Sequence, residues 1–150
     1  MYKFNSLINL IPVISALFLF GCCSFANQKG RETPYITEGK MEMEENSMEY
    51  EIAGLDFFFM NKSDKNVSEL TVVFFLFDKD GEPVSGGKSN IVLTVKERIL
   101  AKSSLRCCLN LDDYFSIVPD EVYTVDYLYI SKILYEDGSS WSDPFGMSVY

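Results

Sequence analysis

The stretch that decides the fold spans residues 69–78 and reads Glu-Leu-Thr-Val-Val-Phe-Phe-Leu-Phe-Asp. It is rich in β-branched and aromatic residues and apolar on both faces of an extended chain, which predicts a central, doubly buried strand. Polar turn residues bound it on both sides, at residues 61–66 and 79–83. A central strand of this kind needs neighbouring strands on either side.

Segments with strand character recur on both sides of this stretch, and no segment carries a sustained helical periodicity. They lie at residues 54–60, 91–96, 105–112 and 122–135, with a last strand at Ser140-Trp141-Ser142 after an Asp137-Gly138 turn. Short strands separated by turn signals in this way are typical of a β-sandwich. The sequence therefore predicts an all-β domain over residues 50–150.

Residues 74–78, Phe-Phe-Leu-Phe-Asp, resemble the F-x-L-Y-D signature of the FxLYD domains, with Phe77 at the usual tyrosine position. Asn61-Lys62-Ser63 is similar to that family's Asn-x-Ser turn, and Asp80-Gly81 follows as its hairpin does. The resemblance covers roughly residues 50–112, although residues 100–102 lack the family's Pro-Gly turn. It implies an immunoglobulin-like β-sandwich of about seven strands in a bacterial surface or secreted protein. No activity is established for the family as a whole, so the resemblance transfers no catalytic residue.

The N-terminus has the organisation of an export signal. Lys3 precedes an apolar stretch at residues 7–20, which is shorter than the roughly 20 apolar residues of a spanning helix. Leu19-Phe20-Gly21-Cys22 then resembles the lipobox of bacterial lipoproteins. That resemblance implies a signal peptide over residues 1–21, a diacylglyceryl-modified Cys22, and a membrane-anchored domain on the non-cytoplasmic side of the bacterial envelope. An ordinary signal peptide and an uncleaved signal anchor are the alternatives.

Residues 22–49 differ in composition from the rest of the chain. Residues 28–34 show no apolar periodicity, and residues 41–49 form an acidic run interleaved with methionines. This composition is typical of a solvated, self-repelling linker, so we expect an acidic, flexible tether behind the lipidated N-terminus. The alternative is that residues 35–45 form a short helix or an edge strand.

Composition and charge narrow the classes of function. Lys+Arg number 13 and Asp+Glu number 22, which gives a net charge of −9 and disfavours a nucleic-acid partner. The chain has no histidine, which removes Ser-His-Asp and Cys-His nucleophile systems and histidine-ligated metal sites. We therefore expect a non-enzymatic binding or interaction module, without a catalytic residue, cofactor or metal. A small carboxylate-only hydrolase, such as a glycosidase, and an accessory subunit of an envelope complex are the alternatives.

The acidic residues of the predicted loops are interpreted as parts of turns and solvated loops and not as a metal or catalytic site. Residues 78–82, Asp-Lys-Asp-Gly-Glu, are similar to the start of a calcium loop, but position twelve of that pattern is Ser89 instead of Glu. We therefore expect an Asp-Gly hairpin turn. The carboxylate pairs Asp112-Asp113 and Asp120-Glu121 are expected in solvated loops.

Four cysteines form two adjacent pairs, Cys22-Cys23 and Cys107-Cys108, a spacing unlike that of a zinc site. The alternation over residues 105–112 predicts Cys107 inward, beside Leu105 and Leu109, and Cys108 outward. A disulfide between Cys23 and Cys108 is the alternative in an oxidising compartment.

Three aromatic residues near the C-terminus are candidate ligand contacts: Tyr135, Trp141 and Phe145. Exposed aromatic side chains on a β-sandwich can hold a glycan or a peptide. The alternative is that they pack the last hairpin against the sheet.

Overall fold

The computed structural model of the chain describes residues 32–44, 47–84, 90–115 and 118–149. These residues form seven strands: β1 (Tyr35–Glu42), β2 (Gly54–Asn61), β3 (Val67–Phe77), β4 (Asn90–Val95), β5 (Ser104–Asn110), β6 (Thr124–Tyr135) and β7 (Ser140–Ser142). A short 3₁₀ helix at Asp112–Tyr114 follows β5. The predicted signal peptide and Cys22 fall outside the described residues.

The strands form two antiparallel sheets. The first sheet has the order β1-β2-β5, and the second has the order β4-β3-β6-β7. In a constant-type immunoglobulin domain the fourth strand lies in the first sheet beside the fifth, whereas here β4 pairs with β3 in the second sheet. The prediction of an all-β, immunoglobulin-like sandwich of about seven strands is confirmed.

The core lies between the inner faces of the two sheets, where alternate residues are fully buried. β2 contributes Leu55, Phe57 and Phe59 from the first sheet, and β3 contributes Leu70, Val72, Phe74 and Leu76 from the second. The prediction that residues 69–78 form a central strand is confirmed, because β3 lies between β4 and β6. Its outer face is less deeply buried than expected, since Thr71 and Phe75 are only half-buried.

The predicted start of the domain at residue 50 is wrong. β1 lies within the expected tether and pairs with β2 along its whole length, from Tyr35 opposite Asn61 to Glu42 opposite Gly54. Tyr35 and Met41 point into the core, and residues from Glu32 onward belong to one compact unit. The edge-strand alternative is therefore the correct one.

The composition of β1 explains the error. Its inward positions are occupied by Tyr35, Gly39 and Met41, but the outward ones include Glu38 and Lys40, so the segment has the charge of a linker. Charged outward side chains are common on edge strands because they discourage pairing with another chain. The alternation of inward apolar and outward polar residues that is typical of a strand was present in residues 35–42, but it was weak.

Candidate functional site

The three predicted ligand-contact aromatics do not form one exposed cluster. Tyr135 is only 7% exposed, and the Lys65 ammonium lies 5.5 Å from its ring centre. Trp141 packs against the core with its ring edge-on to Tyr35, at a centroid distance of 5.5 Å. For these two residues the hairpin-packing alternative holds, whereas Phe145 is 82% exposed on the turn after β7.

That C-terminal turn, residues 143–149, is organised by a buried carboxylate. Asp143 is 8% exposed and accepts the backbone N–H groups of Met147 at 3.0 Å and Ser148 at 2.8 Å. Burial acts to raise the pKa of Asp143, but the backbone donors outweigh it and the net pKa is lowered. The carboxylate therefore stays ionised and fixes the turn.

The same turn packs onto Tyr129 of β6. Gly146 has a φ of 65°, and a Cβ at that position would lie 3.0 Å from the Tyr129 ring. The Tyr129 hydroxyl donates to the carbonyl oxygen of Pro144 at 3.2 Å. Burial, followed by the charge of Asp143, raises the pKa of Tyr129, so the phenol remains a donor. Glycine is thus required at position 146 for both its backbone angle and its closeness to the ring.

A groove of about 410 Å³ lies on the outer face of the second sheet, between β4 and the C-terminal turn. Its described lining comprises Thr71, Val73, Asn90, Val92, Tyr129, Ser131, Lys132, Ser142 and Pro144. We call this the sheet groove. Sequence reasoning missed it because residues 69–78 were interpreted as buried on both faces. The outward-facing Thr71 within that apolar run was the available signal.

The register of the second sheet divides the sheet groove into two rows. Thr71, Lys132 and Ser142 lie opposite one another across β3, β6 and β7 and form a polar row. Val92, Val73 and Tyr129 lie opposite one another across β4, β3 and β6 and form an apolar row. A β-bulge at Ser131 separates the rows, and its hydroxyl donates to the carbonyl of Thr71 at 3.3 Å. The site is therefore amphipathic.

A second depression, of about 490 Å³, lies on the outer face of the first sheet. Two of its charged side chains, Arg106 and Asp56, form an ion pair. Arg106 Nε donates to the Asp56 carboxylate at 2.9 Å, and a terminal nitrogen of Arg106 makes a shorter contact with the same carboxylate. The hydrogen bond to Arg106 lowers the pKa of Asp56. Phe58 forms part of its surface, with Glu38 and Lys40 beside it. Arg106 and Asp56 in this depression are therefore already paired with each other.

The calcium-like loop is a turn, as predicted. Asp78 Oδ1 accepts the backbone N–H groups of Asp80 and Glu82, both at 2.9 Å, and Gly81 has a φ of 78°. The carboxylate is thereby committed to the backbone of its own hairpin. In the part of the chain that the structure describes, no group of three His, Cys, Asp or Glu side chains could hold a metal ion.

Asp112 has a structural role that the solvated-loop prediction did not include. Its carboxylate accepts the backbone N–H groups of Glu51 at 2.8 Å, Ile52 at 2.7 Å and Ala53 at 3.2 Å. Burial tends to raise the pKa of Asp112, but these donors together lower it. The side chain therefore fixes the β1–β2 loop to the segment after β5, whereas Asp113 is exposed.

The predicted Asn-x-Ser turn is present, and its Asn61 is buried. Asn61 Nδ2 donates to the carbonyls of Lys65 at 2.8 Å and Leu100 at 3.0 Å. Its Oδ1 accepts the backbone N–H of Ser63 at 3.0 Å. Asn61 thus links the β2–β3 turn to the loop between β4 and β5.

The inward position of Cys107 and the outward position of Cys108 are confirmed, but Cys108 is less exposed than its outward position implies. Cys107 lies opposite the buried Phe57 and packs against the core, as expected for an inward residue. Cys108 lies on the outer face but is half-buried, because it fills the space beside Gly54 and Tyr50. Burial, followed by the charges of Glu49 and Glu42, raises the pKa of Cys108 to about 11. Both thiols are free, and Cys23 lies outside the described residues.

Comparison of the chain with known protein families, curated proteins and solved structures finds no match. The resemblances to FxLYD domains and to the lipobox therefore stay predictions. Within residues 32–44, 47–84, 90–115 and 118–149, no helix is long and apolar enough to span a membrane.

Proposed function

We propose that this protein is a lipid-anchored component of a bacterial envelope that displays a non-enzymatic β-sandwich as a binding module. The observation that carries the proposal is Leu19-Phe20-Gly21-Cys22 directly after an apolar stretch. Residues 23–31 separate that cysteine from the compact unit that begins at Glu32. Nine residues span at most about 32 Å even when fully extended, so the domain would remain close to the membrane.

The distribution of charge supports this arrangement. β1 starts at the end of the sandwich formed by loops 62–66, 96–103 and 136–139. We call this the neutral end, because its cations are matched by carboxylates. Four ion pairs lie there: Lys62–Glu32, Lys65–Asp137, Arg98–Glu136 and Lys102–Asp64.

The opposite end, formed by the described residues 43–44, 47–53, 78–84, 111–115 and 118–123, is the acidic end. Its described residues carry one cation, Lys79, against Glu44, Glu49, Glu51, Asp78, Asp80, Glu82, Asp112, Asp113, Asp120 and Glu121. Anionic lipid headgroups repel such a surface over about a Debye length. With the anchor joined through β1 at the neutral end, this repulsion favours an orientation with the acidic end away from the membrane.

The carboxyl groups also support a binding module over a hydrolase. A general acid needs a carboxyl whose pKa is raised. Among the described residues, the carboxyl pKa values that depart from normal are all lowered, as at Asp56 by Arg106, Glu136 by Arg98 and Asp137 by Lys65. These groups are held as anions by cations or backbone donors.

Membrane fractionation of two adjacent variants tests the anchor. Cys22→Ala should release the protein from the membrane fraction, because the thiol that carries the lipid is lost. Cys23→Ala is the matched control and should remain with the membrane. Equal retention of both variants would overturn the proposal.

A further inference from the structure

We propose that the sheet groove is the binding site of the module and that it takes a saccharide carrying a carboxylate. This inference rests on the proposed binding function. It does not depend on the anchor.

The two rows of the sheet groove match the two sides of a sugar ring. A pyranose ring has an apolar face of C–H groups and an equatorial edge of hydroxyl groups. The apolar row of Val92, Val73 and Tyr129 lies beside the polar row of Thr71, Lys132 and Ser142. Val92 is 51% exposed and Tyr129 is half-buried, whereas Val73 between them is only 6% exposed, so Val92 and Tyr129 are the accessible part of the apolar row.

The charged side chains in the lining of the sheet groove favour an anionic ligand. The described lining of the groove contains no carboxylate, although Asp and Glu number 22 in the chain. Its only described cation, Lys132, is exposed and forms no ion pair within the described residues, whereas Lys62, Lys65 and Arg98 each have a carboxylate partner. A ligand carboxylate at Lys132 would thus compete with no carboxylate in the described lining.

One wall of the sheet groove is held rigidly by hydrogen bonds and packing. Pro144 belongs to the turn that Asp143 fixes and that Gly146 packs onto Tyr129. Ser142 Oγ and the backbone N–H of Asp143 both donate to the carbonyl of Ser131, at 3.3 Å and 2.9 Å. A preformed wall lowers the entropic cost of binding a weakly held ligand. The same turn presents the exposed Phe145 next to Pro144.

The probe pair is a cello-oligosaccharide with a single terminal glucuronate and the neutral cello-oligosaccharide of equal length, titrated into the ¹⁵N-labelled full-length chain in detergent micelles. We expect the glucuronate probe to shift the backbone resonances of Val73, Val92 and Ser142. Lys132→Met should weaken its affinity about ten-fold, the value expected when one charge-assisted hydrogen bond is lost. Thr71→Val should weaken it as well, because the hydroxyl is removed while the shape is kept.

Two control variants distinguish binding in the sheet groove from a nonspecific electrostatic effect on the whole chain. Lys96→Met removes an exposed lysine outside the described lining of the groove, and Thr124→Val makes the hydroxyl change at the far end of β6. Both variants should bind like the wild type. Absence of binding by either saccharide, or equal weakening by Lys96→Met and Lys132→Met, would overturn the inference. Tighter binding of the neutral probe that Lys132→Met leaves unchanged would overturn the assignment of a carboxylate. None of these results bears on Cys22, which membrane fractionation tests separately.

Discussion

The Tyr35 hydroxyl accepts the backbone N–H of Ile130 at 3.0 Å, which joins the first strand of the domain to the opposite sheet. The Tyr35 ring stacks on Phe59 with a centroid distance of 5.9 Å. Tyr35 is buried, so this hydrogen bond is shielded from water. β1 is therefore held by core contacts and by β6, in addition to its pairing with β2.

Tyr35→Phe should destabilise the domain. The ring contacts remain, but the buried N–H of Ile130 loses its acceptor, which costs about 1–3 kcal/mol. Urea denaturation measures the change in the free energy of unfolding. Tyr123→Phe, a half-buried tyrosine just before β6, is the control and should stay within about 0.5 kcal/mol of the wild type. Equal stability of Tyr35→Phe and the wild type would contradict the cross-sheet role.

Truncation tests where the domain begins. A chain that starts at residue 32 should unfold cooperatively, whereas one that starts at residue 50 should lose its cooperative transition. The second truncation removes β1, exposes the edge of β2 and deletes Tyr35 and Met41 from the core. Thermal unfolding followed by near-UV circular dichroism distinguishes the two. A cooperative transition in the shorter chain would restore the tether interpretation.

The sequence was sufficient to predict six of the seven strands that the described residues form, and the inward and outward faces of β5. The alternation over residues 105–112 correctly predicted Leu105, Cys107 and Leu109 on the inner face, because one sheet face must be apolar. β1 was missed because charged residues dominate its outer face. The sheet groove was not predicted, because residues 69–78 were interpreted as buried on both faces. Its wall at Pro144 also involves the packing of Gly146 on Tyr129, which no local pattern specifies.

Asp112→Ala should cost about 1–3 kcal/mol, because three backbone N–H groups lose a charged acceptor. Asp113→Ala, at the neighbouring exposed position, should change the free energy of unfolding by less than about 0.5 kcal/mol. Chemical denaturation of both variants at pH 7 provides the comparison. Equal effects would mean that Asp112 does not hold the loop.

The same carboxylate predicts a pH dependence. The folded-state pKa of Asp112 is lowered, so its contribution to stability is present above the unfolded value of about 3.9 and is lost as the pH falls through the lower folded value. The stability difference between wild type and Asp112→Ala should therefore shrink as the pH falls from 5 towards the folded pKa. A difference that grows on acidification would contradict this assignment.

Cys108 should react slowly with iodoacetamide, although it lies on the outer face of the sheet. A pKa of about 11 leaves about two hundred-fold less thiolate at pH 8 than in a free cysteine of pKa about 8.5. The rate is measured in a chain that starts at residue 32, which lacks Cys22 and Cys23, and that carries Cys107→Ser, with a short cysteine-containing peptide as the reference. It should rise about ten-fold per pH unit up to pH 10. A rate at pH 8 equal to that of the reference would show that Tyr50 and Gly54 do not shield the sulfur.

The mass of the N-terminal peptide of protein purified from membranes tests the lipid anchor most directly. After proteolysis, we expect a first residue at Cys22 that carries a diacylglyceryl group. A peptide that begins at Met1, or one that begins at or near residue 22 with no lipid mass on Cys22, would contradict it.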